Sequence, residues 1–317
     1  MLIIGDLHGD YYKLLRILQQ KNIIVYNDQE KDIEKQIQII DYETYIIFIG
    51  DYIDWRGEKL ENPLNLSQNQ LVFGTSKIIH LVSYLIQKRK NIFPLVGNHE
   101  DMMFNALKIV NKIGRQRFAD ILQRTYSNPY SLVRELSEDG ILEDYLNFYN
   151  WYTQGGMNTI RSFDSNIDSL LECISNQIIF KELLVYVWFE LEDNTKIVIS
   201  HSFPDDLECI DRIVNNNIRE EDVQIILWSR KIWGIDAFNG VRTEPTDQQE
   251  IIKALDKNNI RRYVIGHTRL SLDPFPYEYL DGRIINVDNH GVPFSEPFYD
   301  NQLKVKSFSL LRYNVNL

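Results

Sequence analysis

The sequence predicts a mixed fold of the α/β or α+β class. Short runs rich in Ile, Val and Phe alternate with longer segments in which apolar residues recur at helical spacing. This alternation is typical of strands that form a central sheet and of helices that cover it. The chain has 317 residues, of which 44% are hydrophobic and 25% are charged. That composition excludes disordered, collagen-like and disulfide-scaffold proteins, and it suffices for a substantial core.

Ten apolar runs along the chain are predicted as strands. They cover 1–5, 45–50, 92–97, 184–191, 195–200, 223–228, 261–266, 276–280, 284–288 and 303–313. Helices are predicted over 10–21, 67–89 and 246–258, and a capping-type residue, Thr246, opens the third of them. The segment 101–182 is almost wholly helix-like, and we interpret it as a helical insertion or cap between two core strands.

Acidic residues outnumber basic residues, with 45 Asp and Glu against 34 Lys and Arg and a formal net charge of -11. Proteins that bind nucleic acids or anionic membranes through general electrostatics recruit Lys and Arg. We therefore expect neither nonspecific nucleic-acid binding nor membrane binding. The net charge does not exclude a phosphorylated substrate, because a few cations at one site can outweigh the charge of the whole surface.

The cysteines and the apolar runs bear on the cellular location. Cys173 and Cys209 lie in apolar or mixed stretches and indicate neither a disulfide framework nor a sulfur-ligated zinc site. No run approaches the roughly 18 apolar residues that span a bilayer. The first apolar run leads directly into Gly5 and Asp6, so we expect no cleavable signal. We expect a cytoplasmic protein.

Residues that can bind a metal follow five of the predicted strands. Three strands end in the motifs GDLHGD at 5–10, GDYID at 50–54 and GNHE at 97–100, and two end in His201 and His267. Four of the six histidines of the chain occupy these strand ends. Because loops converge at the carboxyl ends of strands, we expect these side chains to lie together. Nitrogen and oxygen ligands suit manganese, iron or zinc, so the sequence predicts a site for such a metal.

The clustered Asp, His and Asn residues also indicate a type of chemistry. A carboxylate that bridges two cations lets them lie about 3.5–4 Å apart. Such a pair lowers the pKa of a shared water and stabilises both the attacking and the leaving oxygen of an in-line displacement at phosphorus. The predicted reaction is therefore metal-assisted phosphoester hydrolysis.

The motifs together resemble those of the calcineurin-like metallophosphoesterase superfamily. They are GDLHGD at 5–10, GDYIDWRG at 50–57, GNHE at 97–100, His201 after an apolar run and GHT at 266–268. The resemblance points to the branch that contains the phosphoprotein phosphatases and the symmetrical diadenosine tetraphosphatases. Trp151 with GGMNTI at 155–160, and the WSR sequence at 228–230, are similar to segments of its bacterial and phage-type members. The resemblance implies a four-layer αββα sandwich, with two face-to-face sheets inside and helices outside. It also implies a single catalytic domain over 1–317 that contains the insertion at 101–182.

The resemblance further implies roles for individual residues. The implied metal ligands are Asp6 and His8 for the first of two divalent ions, Asp51 for both ions, and Asn98, His201 and His267 for the second. His99 would protonate the leaving oxygen, with Asp54 orienting its imidazole. Arg56, Arg230 and Asn98 would bind the phosphate. A metal-bound hydroxide would attack phosphorus in line without a covalent phospho-enzyme. Manganese is the expected ion, with iron or zinc as alternatives.

The second motif departs from the family pattern, in which Arg directly follows the second Asp. Here Trp55 intervenes and the arginine is Arg56. Either the loop bulges by one residue and Arg56 still reaches the phosphate, or Trp55 takes its place and the phosphate clamp relies on Arg230. Both alternatives leave Asp51 and Asp54 in their positions.

Two further features receive structural interpretations. Gly155 and Gly156 are expected where the backbone needs close approach or a positive φ. His290 follows Val287, Asp288 and Asn289, where relatives usually show an Asp-Thr-Gly type of strand ending. We interpret His290 as a supporting or turn residue rather than as a ligand.

The predicted activity is that of a serine/threonine protein phosphatase that depends on two divalent metal ions. Its partners would be phosphorylated proteins or small phosphoesters. The alternatives are symmetrical cleavage of diadenosine polyphosphates and phosphatase action on nucleotides or nucleic-acid ends. A remote alternative is an inactive binding scaffold. Inactive relatives normally lose ligands, whereas every expected ligand position is filled here.

Overall fold

Two β-sheets form the centre of the protein. The computed structural model describes residues 1–27, 33–127, 129–236 and 240–315. The strands are β1 Leu2–Ile4, β2 Ile24–Tyr26, β3 Ile37–Ile39, β4 Ile46–Phe48, β5 Ile92–Pro94, β6 Leu184–Leu191, β7 Lys196–Ser200, β8 Ile260–Ile265, β9 Tyr277–Tyr279, β10 Ile284–Asn286, β11 Phe298–Tyr299 and β12 Val305–Arg312. The α-helices are α1 Tyr11–Gln20, α2 Ile33–Gln36, α3 Gln68–Leu71, α4 Gly74–Lys88, α5 Asn98–Ile113, α6 Arg115–Ser127, α7 Pro129–Glu138, α8 Leu142–Trp151, α9 Met157–Arg161, α10 Ile167–Asn176, α11 Ile178–Glu182, α12 Glu208–Val214, α13 Glu220–Trp228 and α14 Gln248–Lys257. A π-helical segment, Tyr152–Gly156, joins α8 to α9, and a 3-10 turn covers Lys231–Trp233.

Both sheets contain parallel strands. The four-stranded sheet has the order β11-β1-β4-β5, with β1, β4 and β5 parallel and β11 antiparallel to β1. The six-stranded sheet has the order β12-β6-β7-β8-β10-β9, with β7, β8 and β10 parallel. Strands β2 and β3 form a separate antiparallel pair. Because β1, β4 and β5 run in one direction, the residues that follow them meet at one edge of their sheet.

Apolar side chains alternate between the two faces of the first sheet. Ile3 and Ile47 belong to one buried cluster together with Phe189 of the second sheet. Leu2 and Ile46 belong to a different cluster, which includes side chains of helices. Successive residues of a strand point to opposite faces, so one face of the first sheet packs on the second sheet and the other packs on helices.

Helices cover the outer faces of both sheets. Leu14 of α1 and Leu81 of α4 pack on the outer side of the first sheet. Ile210 of α12 and Ile251 of α14 pack with Tyr263 on the outer side of the second. Each fully buried side chain of this kind stabilises the fold by about 1.5–3 kcal/mol. The layers therefore follow the order helix, sheet, sheet, helix, and the predicted four-layer αββα sandwich is confirmed.

One predicted strand is wrong. The run 223–228 lies in α13, which begins at Glu220 and ends at Trp228. Its almost continuous apolar character fits a short buried helix as well as a buried strand, so periodicity does not separate the two. The three acidic residues at 220–222 favour the positive end of a helix dipole and identify the run as a helix. Strands β2, β3 and β11 have only two or three residues each and leave no clear apolar pattern in the sequence.

Helices occupy almost all of the described residues between β5 and β6. Helices α5 to α11 and the π-helical segment fill this stretch. The helical prediction for 101–182 is thereby confirmed. Its interpretation as an insertion within a single catalytic domain over 1–317 stays a prediction.

Two helix boundaries differ from the sequence predictions. The predicted helix 67–89 is divided into α3 and α4. The N-cap of α14 is Asp247 and not Thr246. The carboxylate of Asp247 accepts hydrogen bonds from the amides of Gln249 at 2.8 Å and Glu250 at 3.1 Å. A carboxylate at this position also interacts favourably with the helix dipole.

Among the described residues, neither the helices nor the cysteines depart from the sequence predictions on membrane spans and disulfides. In the part of the chain that the structure describes, no helix is long and apolar enough to cross a membrane. Cys173 and Cys209 are free and buried. Burial raises the pKa of each thiol to about 12, which keeps both in the unreactive protonated form.

Candidate metal centre

The residues that follow five strands meet at one edge of the sheets. Asp6 follows β1, Asp51 lies beyond β4, and Asn98 begins α5 after β5. His201 follows β7 and His267 lies beyond β8. All five side chains are buried. The structure thus brings Asp6 into hydrogen-bond contact with His267, although the two are 261 residues apart in the chain.

Two glycines let the carboxylates pack against neighbouring backbone. A Cβ atom on Gly97 would lie 2.1 Å from Oδ1 of Asp51, and one on Gly266 would lie 2.3 Å from Oδ1 of Asp6. Any larger residue at either position would displace an acidic side chain from the centre. The amide of His267 donates a hydrogen bond to Oδ2 of Asp6 at 3.0 Å, which helps to hold that carboxylate in place.

The carboxylate of Asp51 lies between two histidines. Its Oδ2 is 3.5 Å from Nε2 of His8 and 3.6 Å from Nε2 of His201. Its Oδ1 accepts a hydrogen bond from the amide of His99 at 3.1 Å. Asp51 adopts a positive φ of 50°, which is uncommon outside glycine. The strained backbone and the single amide contact orient Oδ2 toward both imidazoles.

Glu100 fixes the loop that carries Asp51. Its carboxylate accepts hydrogen bonds from the amides of Asp51 at 2.9 Å, Tyr52 at 2.9 Å and Gly97 at 3.0 Å. These bonds join the loop after β4 to the start of α5. Glu100 therefore supports the geometry of the centre through the backbone, as its position in the GNHE motif indicates.

Three histidines each donate one ring N–H to a main-chain carbonyl. The contacts are Nδ1 of His8 to Ile53 at 3.0 Å, Nδ1 of His201 to Ile49 at 2.8 Å, and Nε2 of His267 to Trp228 at 3.2 Å. A carbonyl oxygen can only accept, so each contact fixes the position of one ring proton. The other nitrogen of each ring is left with a lone pair that faces Asp51 or Asn98. Metal-binding histidines are held in this way in proteins.

The amide oxygen of Asn98 faces two of these lone pairs. It lies 2.9 Å from Nε2 of His201 and 2.8 Å from Nδ1 of His267. Burial lowers the pKa of both imidazoles, so the neutral rings have no second proton to donate. Three acceptor atoms therefore converge in a buried space, and a cation among them satisfies all three.

The donor atoms of the centre fit divalent cations. Three clusters of potential ligands have atoms within 4.8 Å of one another, namely Asp6 with His8 and His290, His8 with Asp51 and His99, and Asp51 with His201 and His267. Burial raises the pKa of Asp6 well above its usual range, and the charges of Asp288 and Asp51 raise it further. A bound cation offsets both the burial of charge and the repulsion between the carboxylates.

A buried hydrogen bond links His99 to Asp54. Nδ1 of His99 lies 2.9 Å from Oδ2 of Asp54. The same carboxylate accepts hydrogen bonds from Nε1 of Trp151 at 2.9 Å and from Oγ1 of Thr159 at 2.6 Å. Burial lowers the pKa of His99, but the charge of Asp51 and the hydrogen bond with Asp54 outweigh it, so that the pKa is raised overall. His99 therefore holds a second ring proton more firmly than an ordinary histidine.

Comparison with known proteins decides the family. The family model of the calcineurin-like phosphoesterases matches residues 1–269, which is well over half of the chain. The protein belongs to the calcineurin-like phosphoesterase family. Members of this family are dinuclear metal-dependent enzymes that act on phosphoesters.

Solved structures of phosphatases are similar to this phosphoesterase at low sequence identity. A cold-active protein tyrosine phosphatase solved at 1.1 Å is 14% identical with a TM-score of 0.44, and the match covers 93% of this chain and 71% of that one. A point mutant of a cold-active protein tyrosine phosphatase is 14% identical with a TM-score of 0.41, covering 98% and 80%. The phosphatase domain of the Legionella effector WipB is 15% identical with a TM-score of 0.36, covering 81% and 78%.

Two arginines of the phosphoesterase lie near the centre in different environments. Arg56 is 39% exposed, and its Nε donates a hydrogen bond to Oε1 of Glu58 at 3.3 Å. The inserted Trp55 is buried, and its indole donates a hydrogen bond to the carbonyl of Glu58 at 2.8 Å. Arg230 is half-buried, and its guanidinium has no hydrogen-bond partner among the residues that the structure describes. Burial lowers the pKa of Arg230, while the charge of Asp51 opposes that shift. The free guanidinium of Arg230 is available to an anion.

The segment around Trp151 contributes residues whose roles the sequence did not reveal. Trp151 and Thr159 both donate hydrogen bonds to Asp54, and the only signal for them was the resemblance of Trp151 and of GGMNTI at 155–160 to segments of family members. Gly155 has a φ of 116°, and a Cβ atom there would lie 2.6 Å from the carbonyl oxygen of Asp54. A Cβ atom on Gly156 would lie 2.6 Å from the ring of Trp151. The expected backbone requirement at both glycines is thereby confirmed.

Proposed function

We propose that the protein is a serine/threonine protein phosphatase that depends on two divalent metal ions. The observation that carries the proposal is the position of Asp51 between His8 and His201, at 3.5 Å and 3.6 Å from their Nε2 atoms. A carboxylate oxygen with one histidine lone pair on either side is suited to bridge two cations.

The ligand atoms divide into two sites that share Asp51. The first site comprises Asp6, His8 and Asp51, and the second comprises Asp51, Asn98, His201 and His267. Manganese is the expected ion, and iron or zinc suits the same nitrogen and oxygen donors. When bound, the two cations neutralise phosphate charge and lower the pKa of water at the centre.

Arg230 binds the phosphate oxygens in this proposal. A planar guanidinium matches two phosphate oxygens at once. The absence of a partner for Arg230 among the described side chains supports this role. Arg56 is held toward Glu58, with which its Nε pairs at 3.3 Å, so we expect a smaller contribution from it. The amide of Asn98 adds a further neutral contact to the phosphate.

His99 protonates the leaving oxygen. Asp54 engages Nδ1 of His99, so Nε2 presents the proton. The hydrogen bond with the Asp54 carboxylate favours the imidazolium form of His99. When the bond from phosphorus to the leaving oxygen breaks, the proton passes from Nε2 to that oxygen. The product then leaves as a neutral alcohol and His99 becomes neutral.

The dedicated acid favours a phosphoester with a poor leaving group. A serine or threonine alkoxide is strongly basic and gains most from protonation as the bond breaks. The nucleotide anion expelled from a diadenosine polyphosphate, or a phenolate, leaves readily and gains much less. The buried pair of His99 and Asp54 therefore supports alkyl phosphoesters, the class to which phosphoserine and phosphothreonine belong, over diadenosine polyphosphates and aryl esters.

A substrate panel tests the proposal. Phosphoserine, phosphothreonine and phosphotyrosine peptides, diadenosine tetraphosphate, nucleoside monophosphates and 2′,3′-cyclic nucleotides would be compared by kcat/KM in the presence of Mn²⁺. We expect the phosphoserine or phosphothreonine peptides to give the highest value. A strong preference for the dinucleotide would overturn the proposed substrate class and leave the metal chemistry in place. Failure of the manganese-loaded protein to hydrolyse any of them, or p-nitrophenyl phosphate, would overturn the proposal as a whole.

A further inference from the structure

We propose that the imidazole of His290 is a ligand of the first metal site, beside Asp6 and His8. This inference rests on the proposed dinuclear function and adds a residue to it. His290 lies in the loop after β10, which sequence reasoning treats as a turn. His290 lies outside the GDLHGD, GDYID, GNHE and GHT motifs.

The position of His290 is the first observation. Three potential ligand atoms lie within 4.8 Å of one another, one each from Asp6, His8 and His290. The ring centroids of His8 and His290 are 4.6 Å apart at an interplanar angle of 68°. The side chain of His290 is only 12% exposed. The imidazole is therefore at the centre and not on the surface of a turn.

The orientation of the ring is the second observation. Nδ1 of His290 donates a hydrogen bond to Oδ1 of Asp288 at 2.7 Å, and the amide of His290 donates to the same oxygen at 3.1 Å. With its proton on Nδ1, the ring has a lone pair on Nε2. His8, His201 and His267 are held in the same way, each by one acceptor. Carboxylates commonly orient metal-binding histidines through this bond.

The loop that carries His290 is anchored by its neighbours. The buried Lys13 donates a hydrogen bond to Oδ1 of Asn289 at 2.7 Å. Arg269 donates to the carbonyl of His290 at 3.0 Å. The amide of Asp288 donates to Oδ1 of Asn286 at 2.8 Å. A ligand on a fixed loop loses little conformational entropy when it binds an ion.

The number of ligands is the third observation. The second site has four protein ligands, counting the shared Asp51, whereas the first has three without His290. Oδ2 of Asp288 is buried and, among the described residues, has no hydrogen-bond partner. The charge of Asp288 acts on Asp6, and a cation at the first site would offset it. With His290, both sites have four protein ligands of nitrogen and oxygen type.

Metal binding by His290→Ala tests the inference. The metal-free full chain would be titrated with Mn²⁺ by isothermal titration calorimetry, and the bound manganese would be counted by mass spectrometry after gel filtration. We expect two ions in the wild type. In the variant we expect one ion with unchanged affinity and one weakened by at least ~10-fold. His80→Ala is the matched control, because His80 is exposed on α4 and bonds only the carbonyl of Ser76.

The outcomes separate this inference from the proposed function. If His290→Ala binds two ions with wild-type affinities, His290 is not a metal ligand, and the proposed dinuclear function is unaffected. The same conclusion holds if the variant also shows a higher KM for substrate. A wild-type protein that binds fewer than two ions would contradict the dinuclear proposal itself. Should His290→Ala fail to fold, as judged by circular dichroism, the same titration of His290→Phe decides, because phenylalanine retains the volume of the ring but has no atom that can bind a metal.

Discussion

Nδ1 of His99 donates a hydrogen bond to Oδ2 of Asp54 across 2.9 Å in a fully buried environment. The carboxylate of Asp54 also accepts from Trp151 and Thr159, so its position does not depend on His99 alone. The pair therefore fixes both the tautomer and the orientation of the imidazole before substrate binds. This relationship gives His99 a chemical role that is separate from metal binding.

Replacement of His99 by Asn should lower kcat without loss of metal. General acid catalysis contributes about 100- to 10,000-fold, and we expect a loss in that range with a phosphoserine peptide. The loss should be smaller with p-nitrophenyl phosphate, because p-nitrophenolate leaves without protonation. Steady-state kinetics with both substrates measure the loss in kcat, and the number of bound manganese ions per protein shows whether metal is retained. Equal losses with the two substrates would contradict the role as an acid.

Trp151→Phe removes one hydrogen bond from the buried carboxylate of Asp54. We expect a loss of about 1–3 kcal/mol in the free energy of unfolding, together with a lower kcat. Trp188→Phe is the matched control, because the buried indole N–H of Trp188 has no partner in the described part of the chain. Urea denaturation of both variants measures the difference. A Trp188 variant as unstable as the Trp151 variant would show that volume, and not the hydrogen bond, is responsible.

Arg230 should matter more for phosphate than Arg56. Arg230 is unpaired among the described residues, whereas Arg56 is bound to Glu58. We expect Arg230→Ala to lower kcat/KM by about 100-fold and to weaken inhibition by inorganic phosphate, since a charged hydrogen bond is worth about 1.5–3 kcal/mol. Arg56→Ala should cost less than about tenfold. The reverse order would show that Arg56 leaves Glu58 and forms the main phosphate contact.

Asp222 should stabilise the protein only above acid pH. Its buried carboxylate accepts hydrogen bonds from Arg212 at 2.6 Å and from the amide of Arg219 at 2.9 Å. Burial raises the pKa of Asp222, but the hydrogen bonds from Arg212 and Arg219 outweigh it and lower the pKa overall. An unfolded aspartate titrates near ~3.9, so this contribution is complete above that pH and is lost as the pH falls toward the lower folded value.

The variant Asp222→Asn tests this pH dependence. We expect it to lower the free energy of unfolding by about 2 kcal/mol at pH 7, and the deficit should shrink below about pH 4. Glu221→Gln is the control, because Glu221 is an exposed neighbour that pairs with Arg219 at 3.0 Å, and it should cost less than about 1 kcal/mol. Urea denaturation at pH 7 and pH 3 measures both. A deficit that stays constant between the two would refute the assignment.

The sequence predicted the residues of the centre because each is set by a local pattern. Asp51 and Asn98 come directly after a glycine that ends an apolar run, and His201 ends another. Parallel strands then bring these positions to one edge, whatever the length of the connections. The wrong strand at 223–228 shows the limit of such patterns, because a short apolar run is compatible with both helix and strand.

Contacts between distant loops could not be read from the sequence. The approach of His290 to His8 depends on how the loop after β10 packs against the loop after β1. The pairing of Arg56 with Glu58 depends on how the insertion of Trp55 is accommodated. Both contacts depend on how loops pack against each other. The spacing of residues in the sequence does not predict such packing, so several different contacts were compatible with the sequence.

The most direct test of the central claim compares Asp51→Asn with the wild type in manganese-dependent hydrolysis of p-nitrophenyl phosphate. Asparagine keeps the shape of the side chain but removes the charge that serves both sites. We expect the wild type to be active only with added divalent metal. The variant should lose about 1,000-fold in kcat/KM, equivalent to about 4 kcal/mol, and should bind fewer ions. Full activity in Asp51→Asn would contradict a bridging carboxylate and with it the dinuclear mechanism.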